Sequence, residues 1–171
     1  MRITPAAFML TSVLLSASHL VAAGQQTKYG VTVTETKPAA LAKAKTYTWT
    51  VSQPSFDKTV DQQIIAAVDR ELSALGLTKL VSGRGDVQVT YASLRRTDVD
   101  LKSEPSTTGA RRSYPVGILV VRMRDPANGQ MLFSARMDSP IDTEPAKLEA
   151  AINAAATAIF EKYPTRTAAK R

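Results

Sequence analysis

The sequence contains no cysteine, and its one histidine, His19, falls in an apolar leading segment, so residues 24–171 have neither. These absences exclude Ser-His-Asp and Cys-His nucleophile systems, the usual zinc ligand sets and imidazole as a general base. Disulfides are excluded with them. The chemistry left open is paired carboxylates, a Ser-Lys pair or a calcium site built from oxygen ligands. Asp98 and Asp100 have the spacing of loop ligands, but no glycine-and-glutamate frame follows them, so no metal site is expected. Phosphate-cradling loops are missing as well, since Gly83-Arg84-Gly85 lacks the required spacing. No cofactor and no catalytic residues are expected.

The first residues are Met1-Arg2, an apolar run through Phe8, Met9, Leu10, Val13, Leu14 and Leu15, and then Val21-Ala22-Ala23 before Gly24. A positive start, an apolar centre and small residues at the −3 and −1 positions read as a secretory signal peptide over residues 1–23, cleaved before Gly24. Its centre is about a dozen residues, against the roughly 20 that a membrane-spanning helix needs. No later transmembrane candidate follows. A lipoprotein would carry its acylated cysteine where Gly24 stands. The expectation is therefore a periplasmic or secreted chain that is not lipid-anchored, because it has no Cys.

With 171 residues and 44% hydrophobic content, the chain can build one domain with a real core, expected over 24–164. Tyr29, Val31 and Val33 alternate with Gly30, Thr32 and Thr34, and Tyr47, Trp49 and Val51 alternate with Thr46, Thr48 and Thr50. Both stretches predict half-buried strands with threonines toward water. Val60, Ile64, Val68, Leu72 and Leu75 then recur at helical spacing, from a cap at Asp57 or Ser55 to a stop at Gly76. The polar side of that helix, with Asp61, Gln62, Asp69, Arg70 and Ser73, reads as a solvated face. Val87, Val89 and Tyr91 mark a third strand, with Arg84-Gly85-Asp86 as the turn that feeds it. The strongest signal is 114–138, two long strands around Asp125-Pro126-Ala127-Asn128-Gly129, where proline and Asn-Gly suit a tight reversal. Asp142 to Pro145 opens a last helix with the buried stripe Leu148, Ile152, Ala155, Ile159 and Phe160, and Tyr163-Pro164 ends it. Residues 165–171 form a basic C-terminal tail.

Between Leu94 and Ser113 the apolar periodicity fails, which predicts a long basic loop over 94–113. It is flanked by Arg95-Arg96 and Arg111-Arg112, with Lys102 between them. Pairing of the flanking strands would bring the doublets together at one end of the sheet. Such a cluster can hold phosphate or carboxylate groups bidentately. Arg122, Arg124 and Arg136 fall on the outward side of the hairpin and extend the basic surface, so the candidate binding set is Arg95, Arg96, Arg111, Arg112, Arg122, Arg124 and Arg136.

The order of elements resembles the bacterial domain of unknown function 4136 family of secreted and lipid-anchored envelope proteins. The resemblance rests on Thr46-Tyr47-Thr48-Trp49, the helix ending at Leu75-Gly76-Leu77, Asp86-Val87-Gln88-Val89-Thr90-Tyr91 and Gly117-Ile118-Leu119-Val120-Val121. It continues through the Asp125 turn, Phe133 where the family usually has tryptophan, and Phe160 with Tyr163-Pro164. It implies an envelope location and an α+β fold, and it supplies no catalytic residues.

The expected architecture is a twisted, mostly antiparallel sheet of about five or six strands with two helices packed on one face. Removing Arg2 from the formal +7 leaves the mature chain near +6. Anionic envelope lipid or polysaccharide, or another envelope protein, is the expected partner. Nucleic acid is disfavoured by export and by aromatic residues that alternate into the core. The reading is a non-enzymatic envelope protein offering a binding surface, with a carboxylate-dependent glycan hydrolase as the alternative. That alternative needs two carboxyl groups facing one cleft, about 5 to 9.5 Å apart.

Overall fold

The computed structural model describes residues 29–50 and 53–164. The expected signal peptide and basic tail lie outside the described residues. In chain order the elements are β1 (Gly30–Thr36), α1 (Pro38–Leu41), β2 (Thr46–Trp49), α2 (Lys58–Ala74), β3 (Thr78–Lys79), β4 (Val87–Val99), β5 (Ser113–Arg124), β6 (Met131–Pro140) and α3 (Pro145–Phe160). Local chemistry sets most boundaries. Asp57 caps α2 by accepting from the Thr59 amide at 2.8 Å. Gly76, at φ 86°, ends it in a Schellman motif, with Gly76 N–H on the Ser73 carbonyl and Leu77 N–H on the Leu72 carbonyl. The β5–β6 reversal closes through Gly129 N–H to the Asp125 carbonyl, and the Asp125 carboxylate accepts from the Ala127 amide.

The six strands form one open sheet in the order β1-β6-β5-β4-β2-β3. The fold is α+β as expected, and the long strands β1, β6, β5 and β4 are mutually antiparallel. β2 runs parallel to both β3 and β4. The parallel pairs arise because α2 carries the chain over one face and returns it in the same direction. Both long helices pack on that face. Tyr47, Val89, Val121, Met123 and Phe133 from the sheet meet Ile64, Val68, Leu72, Ile159 and Phe160 from the helices in one core. Phe133, Phe160 and Tyr163 gather with centroids 5.6 to 6.4 Å apart. Burial pushes the Tyr163 phenol up to about 12. Among the described residues the opposite face has no helix upon it, and its small apolar centre is Ala92, Ile118 and Val120. One edge of the sheet is β3, two residues long, and the other is β1, seven residues long.

The long loop is shorter than its sequence suggests. β4 and β5 pair without interruption from Gln88↔Arg124 to Val99↔Ser113, so the connection spans only 100–112. The periodicity fails because the helix side of this end of β4 is open to water while its other side is polar: Arg95, Thr97 and Val99 are exposed, and Arg96 and Asp98 opposite are half-buried. The Arg84-Gly85-Asp86 turn feeds β4 as expected. Asp86 accepts from the Lys45 and Thr46 amides and the Thr46 hydroxyl, each at 2.9 Å, and these bonds hold its carboxyl below the usual range.

Candidate functional site

The seven candidate arginines do not form one patch. Arg96 and Arg136 project from the uncovered face into an acidic network. Arg96 Nε donates to Asp98 at 2.9 Å, and its Nη1 donates to Asp138. Arg136 donates to the same Asp138 through Nε and Nη2 at 2.5 and 2.9 Å. The Tyr29 hydroxyl adds a bond to Asp98 at 2.8 Å and touches the Tyr114 hydroxyl. Hydrogen bonds from Arg136 and then Arg96 hold the Asp138 carboxyl below its ordinary value; the Arg96 guanidinium is raised by its bond to Asp98 and then by that to Asp138, and the Arg136 guanidinium by its bond to Asp138. Two arginines are therefore neutralised within the fold. The strand register makes this arrangement, because Asp138 faces Ile118 while Arg96 faces Val116 on the same central strand.

Arg111 is also committed, as a brace inside the 100–112 connection. Its Nη1 donates to the Leu101 carbonyl at 2.8 Å and to the Ser103 carbonyl. The Ser103 hydroxyl donates to the Asp100 carbonyl and accepts from the Arg112 amide, and Ser106 N–H bonds the Ala110 carbonyl. These bonds make a built tip with Leu101 at its surface, 75% exposed, and Val99 beside it at 46%. Lys102 and Arg112 at the tip, and Arg95 farther back on β4 opposite Gly117, are exposed, and their side chains make no hydrogen bond or ion pair among the described residues. Arg122 and Arg124 are free in the same sense but stand at the other end of the hairpin. Ten residues separate Arg112 from Arg122, a distance of about 33 Å along a strand.

The polar side of α2 is not simply solvated, which corrects the sequence expectation. Asp69 accepts from Tyr47 Oη at 2.7 Å and Trp49 Nε1 at 2.8 Å with one oxygen, and from Lys79 Nζ at 2.8 Å with the other. Burial, then the Asp69 bond, pushes the Tyr47 phenol above its ordinary range. Asp61, two helical turns earlier, accepts from Ser55 N–H at 3.0 Å and from Tyr91 Oη. Spacing could have flagged both: Asp61, Ile65, Val68 and Asp69 share one side of a 3.6-residue helix. Glu71 is buried at 6% exposure and accepts from the Thr157 hydroxyl at 2.7 Å, which ties α2 to α3.

Two surface clefts flank α2. One is walled by Trp49, Tyr91, Ile65 and Pro54, and the other lies between α2 and α3 beside Arg70 and Asn153. Each presents a single carboxylate, Asp61 in the first and Glu149 in the second. Elsewhere, Asp98 and Asp138 are bridged by Arg96. Among the described residues no pair of the kind a two-carboxylate hydrolase needs faces either cleft.

An open mixed sheet with both long helices on one face defines a two-layer α+β protein. The chain belongs to the family described as domain of unknown function (DUF4136), whose model matches residues 31–165. Among solved structures the fold is similar to the PelC dodecamer from Paraburkholderia phytofirmans, at 12% identity and TM-score 0.55, over 78% of this chain and 96% of that one. A PDZ domain protein from Parabacteroides distasonis is similar at 12% identity and TM-score 0.51, over 78% of this chain and 34% of that one. The rare lipoprotein B from Shewanella oneidensis matches at 14% identity and TM-score 0.41, over 74% of this chain and 96% of that one. No curated protein matches the sequence.

One of these matches is a lipoprotein, against an expected location that excluded a lipid anchor. The expectation of a periplasmic or secreted chain without a lipid anchor, argued from the absence of cysteine, does not stand. That argument concerned the leading segment, which lies outside the described residues. Among the described residues no helix is long and apolar enough to cross a membrane.

Proposed function

We propose that this protein is a non-enzymatic module of the bacterial envelope that docks on an anionic lipid surface through the tip joining β4 and β5. The observation that carries the reading is Leu101, held 75% exposed by a hydrogen-bonded brace, with Lys102 next to it and Arg112 across the connection, where its carbonyl accepts from the Asp100 amide. An exposed leucine on a braced turn suits insertion, since burying such a side chain is worth about 1.5 to 3 kcal/mol. Each basic residue beside an anionic bilayer adds about 1 kcal/mol. Arg96, Arg111 and Arg136 support the reading differently: they shape the tip and the face behind it. Arg122 and Arg124 lie too far away to join the same contact.

Co-sedimentation with vesicles of phosphatidylcholine, with and without phosphatidylglycerol, tests the proposal. Binding should require the anionic lipid. Leu101→Ser should weaken it about tenfold or more, as should joint replacement of Arg95, Lys102 and Arg112 by glutamine. Undiminished binding by either variant would remove the tip as the docking site. Binding to soluble polyanionic glycan but not to vesicles would replace the lipid with a polysaccharide.

A further inference from the structure

The two aspartates that α2 turns toward the sheet are held alike, with one difference. In both, Oδ1 takes two donors: Tyr47 Oη and Trp49 Nε1 at Asp69, Tyr91 Oη and the Ser55 amide at Asp61. Asp69 completes its set with an ammonium group, Lys79 Nζ on Oδ2 at 2.8 Å. Asp61 Oδ2 has no hydrogen bond and Asp61 enters no ion pair among the described residues, although Lys and Arg outnumber Asp and Glu by 22 to 15 in the sequence.

The surroundings of Asp61 differ as well. Asp69 is closed over by Lys79, whereas Asp61 lines an open cleft of about 250 Å³ with Trp49, Thr50, Pro54, Ile65 and Tyr91. Trp49 and Tyr91 meet edge to face, 5.9 Å between centroids at 90°. Aromatic π faces attract cations, and an indole is the strongest of them. Aliphatic and proline walls suit a methylene chain that leads an ammonium group inward. A carboxylate oxygen with capacity to accept, beside an indole and a phenol, is a recognition set for an alkylammonium ion. Lys79 on Asp69 shows within the same fold how such a group is met.

We infer that the cleft at Asp61, Trp49 and Tyr91 binds the side chain of a lysine presented by a peptide or protein partner. The ammonium group bonds Asp61 Oδ2 while its methylene chain lies along Trp49, Ile65 and Pro54. This site is on the helix-bearing side, apart from the β4–β5 tip, and does not depend on lipid docking.

Trp49 is the single tryptophan of the chain and so reports directly on this cleft. Titration with Nα-acetyl-lysine amide should shift or quench its emission in a saturable way. Nα-acetyl-norleucine amide, which has the chain without the charge, should produce no saturable change. Asp61→Asn keeps an oxygen for Ser55 N–H and Tyr91 Oη, so it should fold with an unchanged unfolding temperature. It should weaken the lysine probe about tenfold or more, the equivalent of about 1.4 kcal/mol. Equal responses to the lysine and norleucine probes on the unaltered protein would overturn the inference, without reference to any variant. So would an Asp61→Asn protein that binds the lysine probe as tightly as the parent.

Discussion

Asp138 shows what a single side chain decides in this fold. Its carboxylate takes bonds from Arg136 and Arg96, and they hold it below the ordinary carboxylate value. A group lowered on folding contributes stability that is complete above its unfolded value of about 3.9 and is lost as pH falls through the folded value. Asp138→Asn should therefore be less stable than the parent at pH 7. It should also lose less additional stability than the parent between pH 6 and pH 3, measured by urea unfolding at each pH. Gly85 decides a backbone approach. A Cβ there would lie 2.8 Å from the Tyr47 carbonyl carbon and 2.9 Å from its Cα. Gly85→Ala should cost about 1 to 3 kcal/mol in thermal unfolding, in the range of overpacking changes, because neither contact is a flexible side-chain end. The sequence showed Gly85 as a turn residue, and that was correct. It could not show the proximity of β2, which depends on a parallel pairing between segments about 40 residues apart.

Among the elements, the ones that local pattern specifies were legible: β1, α2, the β5–β6 hairpin and α3 all fall where alternation, caps and turn residues put them. Val31 and Val33 against Thr32 and Thr34 announced β1, and Asp57 and Gly76 announced both ends of α2. The end of β4 was not legible. Arg95 to Val99 extend the strand through backbone bonds to β5, with no apolar face to mark them. The candidate site was read less well than the fold for a related reason. Seven arginines can be counted in a sequence, but whether Asp98 or Asp138 already neutralises one depends on strand register. The attachment of α2 to the sheet was hidden too, since an aspartate on a helix looks solvated until its partners are in place. Asp69→Ala leaves Tyr47 Oη and Trp49 Nε1 without their acceptor and should destabilise by about 2 to 4 kcal/mol, with a red shift of the Trp49 emission. Asp69→Asn retains one acceptor oxygen and should recover part of that loss.

At the scale of the whole molecule, charge is distributed so that the excess counts only in some places. The formal balance is +7, yet Arg96 and Arg136 are neutralised by their own acids. Lys102 and Arg112 at the tip, and Arg95 on the strand leading to it, are unpaired among the described residues. Attraction to an anionic bilayer should therefore be steeply screened, falling severalfold between low salt and about 0.15 M, where the Debye length is near 8 Å. The Leu101→Ser protein should keep the parent's salt slope, whereas the Arg95, Lys102 and Arg112 replacement should flatten it. Vesicle titrations at three ionic strengths separate the two contributions.

The sheet ends differently on its two sides. β3 offers two residues of backbone, beside the Lys79 and Asp69 ion pair, while β1 offers seven. A strand added to β1 finds a long row of amide and carbonyl groups, and one added to β3 finds almost none. Two copies joined β1 to β1 would have used that long edge of each. On the other side, among the described residues, β2 and the Gln53 bridge reach only as far as Ala92, so the end of β4 from Leu94 to Val99 has a strand on one side alone. A sheet continued there would have to pair with the strand end that carries Arg95 and Arg96.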